Sequence, residues 1–300
     1  MVKVLTAGHV NWDVTLRIDD FPRPDGEAAI RSQRQSGGGS AANVAAALSG
    51  LEVEAGLIGS VGDDENGVLA RRDLEDAGVS LEGVRVVEDA ETAVKYLLVD
   101  DDGEVAVLGN DGVNEAVGPD DLDRDRIRAA DHVHLTSQRP DTAAAIATTA
   151  REGGATVSFD PGRRLEDRRR EYRDALATAD VLFANDREIA ALLEDEYEYV
   201  GSAFDDRIVV VKYGGDGAKV HTPEATYEHP GFDVDPVDTA GAGDAFAAGF
   251  LAVLLEEDGR GDVERALEYA NACGAITASR EGARSAPTAA EVSDFFATRY

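Results

Sequence analysis

Val237-Asp238-Thr239-Ala240-Gly241-Ala242-Gly243-Asp244-Ala245-Phe246-Ala247-Ala248-Gly249-Phe250 is the run from which the rest of this 300-residue chain is read. Three small residues, Gly241, Ala242 and Gly243, stand just before a carboxylate. Residues 245–255 are apolar and almost free of β-branching, enough for about three helical turns. Such a loop leaves backbone N–H groups bare at a helix start, where the dipole also favours negative charge. Glycine lets the backbone approach a ligand because no Cβ intervenes. The turn therefore offers an anion cradle and, at Asp244, a base. Phosphoryl transfer uses both, since charge on the moving phosphate must be stabilised and the attacking hydroxyl must lose its proton. The same run also reads as an ordinary helix start, with Asp244 serving the dipole and the glycines making a tight turn.

The rhythm on either side predicts the fold class. Residues 2–7, 55–61, 84–87, 132–136, 156–159, 181–184 and 208–212 read as strands. Residues 41–51, 67–76, 121–130, 142–152, 168–178, 187–193, 242–255, 263–279 and 289–298 read as helices. Strands alternating with helices predict a mostly parallel sheet covered on both faces. Residues 218–222 and 225–229 suggest a small antiparallel addition. Polar, alternating stretches near residues 14–36 and 92–109 do not suit a buried sheet. The latter pair flanks Asp101-Asp102-Gly103, a hairpin signal. Together they predict a separate antiparallel flap. The expected division is a core of residues 1–12, 37–91 and 110–300, and a discontinuous lid of residues 13–36 and 92–109.

Composition narrows the function classes. Sixty Asp and Glu face 29 Lys and Arg, for a formal charge of −31. Nucleic acid and anionic membranes are poor partners for such a chain. Lys3, Lys95, Lys212 and Lys219 are its only lysines. The acid is spread along helix faces, and 43% hydrophobic content argues against disorder. This pattern predicts a folded protein adapted to concentrated salt, where screening shrinks to a few Å and self-repulsion is cheap. Cys273, the single cysteine, lies in an Ala-rich helical run and reads as a small buried residue. The N-terminal apolar run is too short for a signal peptide, and no 18-residue apolar segment exists, so a cytoplasmic protein is expected.

In open α/β sheets ligands gather beyond the carboxyl ends of the strands. Asp13, Gly38, Gly39, Asn43, Asn185, Glu188, Gly214, Gly215 and Gly217 all fall at such positions. Each alone is commonly a cap or a turn residue; their clustering at one edge is what a binding cleft needs.

The run from Asp238 to Phe250 resembles the C-terminal signature of the PfkB, or ribokinase-like, family of sugar and nucleoside kinases. The resemblance extends over essentially the whole chain. It implies an α/β fold of the ribokinase-like kind: a three-layer sandwich with a mostly parallel central sheet and a small β-sheet lid. It implies ATP and Mg²⁺ as cofactors, Asp244 as general base, and Gly241, Ala242 and Gly243 in a backbone anion hole. Gly38-Gly39-Ser40-Ala41-Ala42-Asn43 resembles the family's Gly-Gly-x-x-x-Asn motif, which implies that Gly38, Gly39 and Asn43, joined by Asp13, contact sugar hydroxyls. Asn114 resembles the Asn that follows the flap and would approach the substrate as the flap closes. Asn185-Asp186-Arg187-Glu188 matches Asn-x-x-Glu, which implies Mg²⁺ held through water by Glu188, with Asn185 near the ATP phosphates.

Lys212-Tyr213-Gly214-Gly215-Asp216-Gly217 resembles the nucleotide-binding segment, with Lys212 where Thr is common. Lys212 is suited to a phosphate or to a surface acid. Asn271, Gly274 and Ala275 resemble the helix lining the adenine pocket. Asp238, Ala240, Ala278 and Ser285 resemble a monovalent-cation site, which implies K⁺. Phe159-Asp160-Pro161-Gly162-Arg163-Arg164 resembles the Asp-x-Asn-x-Arg of fructokinases and 2-keto-3-deoxygluconate kinases, with Arg164 reaching the substrate; Gly162 departs from that pattern. A keto-sugar is therefore the favoured acceptor. Ser40 stands where a ribokinase usually carries Lys, which disfavours ribose. A nucleoside kinase, with Trp12, Phe21 or Tyr96 stacking on a base, remains open. So does a non-catalytic sugar- or nucleotide-binding regulator. The exposed lid edge suggests a homodimer.

Overall fold

The computed structural model describes residues 3–101, 104–162, 170–193, 206–256 and 262–299. In chain order its strands are β1 (Lys3–Ala7), β2 (Asn11–Ile18), β3 (Ile30–Gly38), β4 (Glu54–Gly62), β5 (Ser80–Val87), β6 (Ala93–Val99), β7 (Val105–Gly109), β8 (His132–Leu135), β9 (Thr156–Phe159), β10 (Val181–Asn185), β11 (Ile208–Lys212), β12 (Ala218–His221) and β13 (Thr226–His229). The described helices are α1 (Ser40–Gly50), α2 (Glu65–Asp76), α3 (Arg124–Arg128), α4 (Pro140–Gly153), α5 (Arg173–Thr178), α6 (Asp186–Leu193), α7 (Ala242–Leu254), α8 (Val263–Ala278) and α9 (Ala289–Ala297).

Nine strands form the central sheet in the order β13-β12-β11-β10-β9-β8-β1-β4-β5. All neighbours from β11 to β5 run parallel, and β12 and β13 add an antiparallel edge. The inner strands are apolar on both faces, as a doubly covered sheet demands: Val4, Leu5, Val133, Val157, Phe183 and Val210 are fully buried. Helices α1, α2, α7 and α8 pack in the larger core cluster, and α3, α4 and α5 in the other. That makes three layers.

Parallel register aligns the carboxyl ends, so polar residues meet where the apolar strands stop. Asn185 lies opposite Lys212, and Asp160 follows Phe159, whose partner is Leu135. Helix α7 lies close against α8: a Cβ on Gly249 would come within 2.7 Å of Cys273 Sγ. Cys273 is buried there, and burial pushes its thiol up to about 12, which makes it a packing residue.

A second sheet, ordered β3-β2-β6-β7, forms the lid. It departs from the antiparallel flap expected, because β2 and β6 pair in parallel. The reason is topological. β1 and β5 run in the same direction in the main sheet, and each feeds the next strand into the lid. Other boundaries differ as well. The helix expected over residues 121–130 is a 3₁₀ turn at Pro119–Asp121 followed by α3, since Asp123 caps a new start by accepting from the Arg126 N–H at 3.1 Å. The helix expected from residue 168 begins at Arg173, since residues 170–172 form a turn; residues 163–169 lie outside the described set. Among the described residues no helix is long and apolar enough to cross a membrane.

Phe250 ties α7 to the sheet. It is fully buried and meets Phe183 of β10 edge-on, with ring centroids 5.7 Å apart. Phe250→Ala is expected to cost about 3–5 kcal/mol, read as a lower denaturation midpoint at unchanged slope in molar KCl.

Candidate active site

Gly241 has φ 77° at the start of α7, and a Cβ there would lie 2.0 Å from the Ala283 carbonyl oxygen. Only glycine fits this left-handed, crowded position. The Ala242 N–H donates to the Thr239 carbonyl at 3.2 Å, so it is not part of an open cradle as expected. Among the described residues the N–H groups of Gly243 and Asp244 have no partner, which leaves two donors at the helix start.

Asp244 is reached from a different helix. Asn43 Nδ2, in the first turn of α1, donates to Asp244 Oδ2 at 2.8 Å. Burial lifts the Asp244 carboxyl to about 6; the Asp160 charge adds to this, while the Asn43 and Ser40 hydrogen bonds and Lys212 oppose it. Gly39, preceding α1, has φ 93°, and a Cβ there would strike the His9 carbonyl at 2.3 Å. A Cβ on Gly38 would come within 2.2 Å of Asp13 Oδ2. Asp13, Gly38, Gly39 and Asn43 thus form one surface, continuous with Asp244. Burial also raises the Asp13 carboxyl, against the nearby charges of Lys95 and Arg284, and Asp13 Oδ1 is buried with no hydrogen-bond partner.

Arg284 is a site residue that the motifs did not single out. Its Nη2 donates to the Gly38 carbonyl at 3.1 Å, its Nε to Asn43 Oδ1 at 3.4 Å, and its Nη1 to Asp73. Burial works against its charge; Asp73 and Asp13 support it. It braces the acceptor motif across 241 residues of sequence, a distance no local motif reports.

Asn114 does not present its amide to this surface. Its Nδ2 donates to Asn11 Oδ1 at 2.7 Å and its Oδ1 accepts from the Val10 N–H at 3.1 Å, so it fixes the link between β1 and β2. Arg164 lies outside the described residues. The lid's strand alternation also separates Trp12 and Tyr96 from Asp13. Trp12 sits on the opposite face of β2 and is buried, and Tyr96 pairs with Val14 on that same opposite face.

On the other side of Asp244, Lys212 Nζ donates to Asp160 Oδ2 at 2.6 Å. Burial works against the lysine's charge, but Asp160, Glu188 and Asp244 outweigh it and keep it protonated. Its Nζ lies 3.6 Å from where a Cβ on Gly243 would stand, so it flanks the N–H cradle. Asn185 and Glu188 cap each other: the Asn185 N–H donates to Glu188 Oε2 and the Glu188 N–H to Asn185 Oδ1, both at 2.9 Å. A cleft of about 470 Å³ opens beside the cradle, lined by Lys212, Gly214, Gly217, Asn271, Gly274 and Ala275, as expected of a nucleotide site. Phe232, Val234 and Pro236, from a segment without a motif, supply its apolar wall.

Asp238, Ala240, Ala278 and Ser285 do gather. Asp238 Oδ1 accepts from the Ala240 N–H at 2.9 Å and Oδ2 from the Gly282 N–H at 3.0 Å. The Ala278 carbonyl accepts from Val237 and Asp238, and Ser285 Oγ donates to Gly282. Backbone donors therefore already engage the Asp238 carboxylate and the Ala278 carbonyl, among the oxygens that the resemblance assigns to a cation. The lid is tethered over this loop, since Glu281 pairs with Arg34 at 3.1 Å and Arg17 at 3.7 Å. All three side chains are about half exposed, so these pairs hold it weakly.

The family model described as "pfkB family carbohydrate kinase" matches residues 1–289. An "ATP-dependent ribose-1-phosphate kinase" of Halopiger xanaduensis is 79% identical over all of both chains. That organism is a halophile, in line with the salt-adapted composition. A "probable fructokinase-4" of Arabidopsis thaliana is 33% identical, covering 85% of this chain and 86% of its own. The crystal structure of a ribokinase from Thermotoga maritima superposes with a TM-score of 0.86 at 25% identity, over 99% of each chain. With the sheet order, the lid and the Asn43–Asp244 contact already in place, the chain belongs to the pfkB family of carbohydrate kinases.

Proposed function

We propose that this protein transfers the terminal phosphoryl group of ATP to the primary hydroxyl of ribose-1-phosphate, giving ribose-1,5-bisphosphate. The full-length 79% identity to the Halopiger ribose-1-phosphate kinase carries the choice of acceptor. The keto-sugar favoured by residues 159–164 has less behind it: Asp160 is committed to Lys212, and Arg164 is not described. Nucleoside stacking is disfavoured by the placement of Trp12 and Tyr96 on the lid face away from Asp13.

The residues present fit the cofactors. The cleft offers an apolar wall for a base and, at its inner end, Lys212 and two free N–H donors for phosphate. Asp160, Glu188 and Asp244 set three carboxylates against the one ammonium of Lys212, and this surplus suits a hydrated Mg²⁺, which needs few direct carboxylates. Bound ATP with Mg²⁺ supplies the phosphoryl group. Asp13 and the Gly38-Gly39-Asn43 surface orient the sugar. Asp244, held by Asn43, accepts the proton of the attacking hydroxyl at Oδ1 or Oδ2. The Gly243 and Asp244 N–H groups stabilise the developing charge, each worth roughly 3 kcal/mol. The lid closes over the acceptor and excludes water. Its outer strand β7 exposes Val105, Val107 and Leu108, an edge suited to a second copy; light scattering that finds only monomer across salt concentrations rejects that dimer.

An ADP-release assay in molar KCl with ribose-1-phosphate, ribose, fructose, 2-keto-3-deoxygluconate and adenosine tests the acceptor. Ribose-1-phosphate should give the highest kcat/KM, and a higher value for fructose would overturn the reading. Asp244→Asn should lose at least about 100-fold in kcat with little change in ATP affinity. The base form of Asp244 is the active one, so wild-type kcat at saturating substrates should fall about tenfold per pH unit below about 6. The same raised carboxyl lowers stability. Its folded value of about 6 lies above its usual 3.8, so its cost is absent below about 4, grows between 4 and 6, and is complete above 6. Asp244→Asn should therefore raise Tm at pH 8, with the gain shrinking as pH falls towards 4.

A further inference from the structure

We infer that Lys95, on the lid, binds the phosphate already present on the acceptor and so makes the enzyme selective for a sugar phosphate over a free sugar. This inference rests on the ribose-1-phosphate reading above.

The first observation is what Lys95 lacks. The chain has only four lysines against 60 carboxylic acids. Lys212 is paired with Asp160 and Lys219 with Glu228. Lys95 is half-buried, yet among the described residues it has neither a hydrogen-bond nor an ion-pair partner. Lys3, at the amino end of β1, likewise has no side-chain partner among the described residues, but it lies in the main sheet, whereas Lys95 lies on the lid. An ammonium without a protein partner gains by pairing with an anion. A cation kept in that state is available to an anion that arrives with the substrate.

The second observation is where it stands. β2 and β6 pair in parallel with Asp13 directly opposite Lys95, so the two side chains project from the same face of the lid. Asp13 marks the acceptor surface, since its carboxylate lies against Gly38. The charge of Lys95 is felt at Asp13, but the two groups form no ion pair. Asp13 Oδ1 is itself buried without a hydrogen-bond partner. Two unlike, unsatisfied groups thus stand side by side, on strands about 4.8 Å apart. Ribose-1-phosphate presents the complementary pair: a hydroxyl on C2, which can donate to a carboxylate, and a phosphate on the adjacent C1. With the sugar so placed, its anomeric phosphate lies under the lid, and its primary hydroxyl is at the other end of the molecule, free to face Asp244.

The other cations near the acceptor are committed. Arg284 is held by Gly38, Asn43 and Asp73, and Arg34 and Arg17 are engaged by Glu281. Arg34 lies on the same lid face, opposite Thr15, but its guanidinium is turned to the core loop. Lys95 is the cation on that face that remains to be matched.

Lys95→Gln, assayed in molar KCl, should raise KM for ribose-1-phosphate by ~10- to 100-fold, the range for one charged hydrogen bond. KM for ATP and kcat at saturation should stay within about twofold. Turnover of free ribose, which carries no phosphate, should be unchanged or improved. Lys95→Arg should recover most of the loss. An unchanged KM for ribose-1-phosphate in Lys95→Gln, or an equal rise in KM for ATP and for both sugars, would overturn the assignment while leaving the acceptor reading intact. Failure of the wild-type enzyme to phosphorylate ribose-1-phosphate would instead overturn the acceptor reading, and the assignment with it.

Discussion

The hydrogen bond from Asn43 to Asp244 is the contact on which the site depends, because it joins two helix starts that belong to opposite ends of the chain. The start of α1 carries the amide of Asn43, and Gly38 and Gly39 just before it complete the acceptor surface. Helix α7 carries Asp244, the base of the proposed reaction, and the N–H cradle. Phosphoryl transfer demands that acceptor, base and cradle share one point, and positioning accounts for much of its catalysis. The contact is made in a buried place, which raises Asp244 towards neutrality. That gives a base whose affinity for a proton is nearer the working pH than that of an exposed carboxylate. The cost is a group that the fold would hold more cheaply if it were uncharged. Arg284, bonded to both Gly38 and Asn43, keeps the acceptor half in place while this strain is borne.

How much of this could be read beforehand follows from the range of each signal. The central sheet was legible because its strands are short apolar runs whose partners need only the same pattern; residues 156–159 and 208–212 were placed to the residue. The mutual cap of Asn185 and Glu188 was not read, although both residues were singled out by the Asn-x-x-Glu resemblance. The parallel pairing of β2 with β6 was not, because polar alternation defines a strand but says nothing of its neighbour. It follows instead from the directions of β1 and β5, which are a property of the assembled sheet.

In the site, residues fixed by backbone geometry were the easiest to place. Gly38, Gly39 and Gly241 each stand where a Cβ would collide. Residues that act through distant contacts were harder. Arg284 is singled out by no motif and is a brace. Asn114 read as a substrate contact and is a clamp on Asn11. Ala242 read as an open donor, and its N–H is spent on Thr239. Phe232 and Pro236 carry no motif, because any apolar residue of suitable size can form a cleft wall. Lys212, read as suited to a phosphate or to an acid, is paired with Asp160 and stands beside the cradle.

An anionic substrate entering a chain of charge −31 sets a further constraint. At low salt the summed field of such a surface repels phosphates and slows their approach. In molar salt the screening length is about 3 Å, so that field no longer reaches the substrate. Recognition then falls to groups in direct contact, within that length. This explains how so acidic a protein can serve phosphorylated molecules with so few cations. Lys212 and Arg284 are buried among counter-charges that salt screens poorly, and they keep their arrangement in any medium. The lid's ties through Glu281 are exposed, and salt weakens them. A medium that silences the surface therefore also loosens the lid's ties, while the buried charges keep their arrangement.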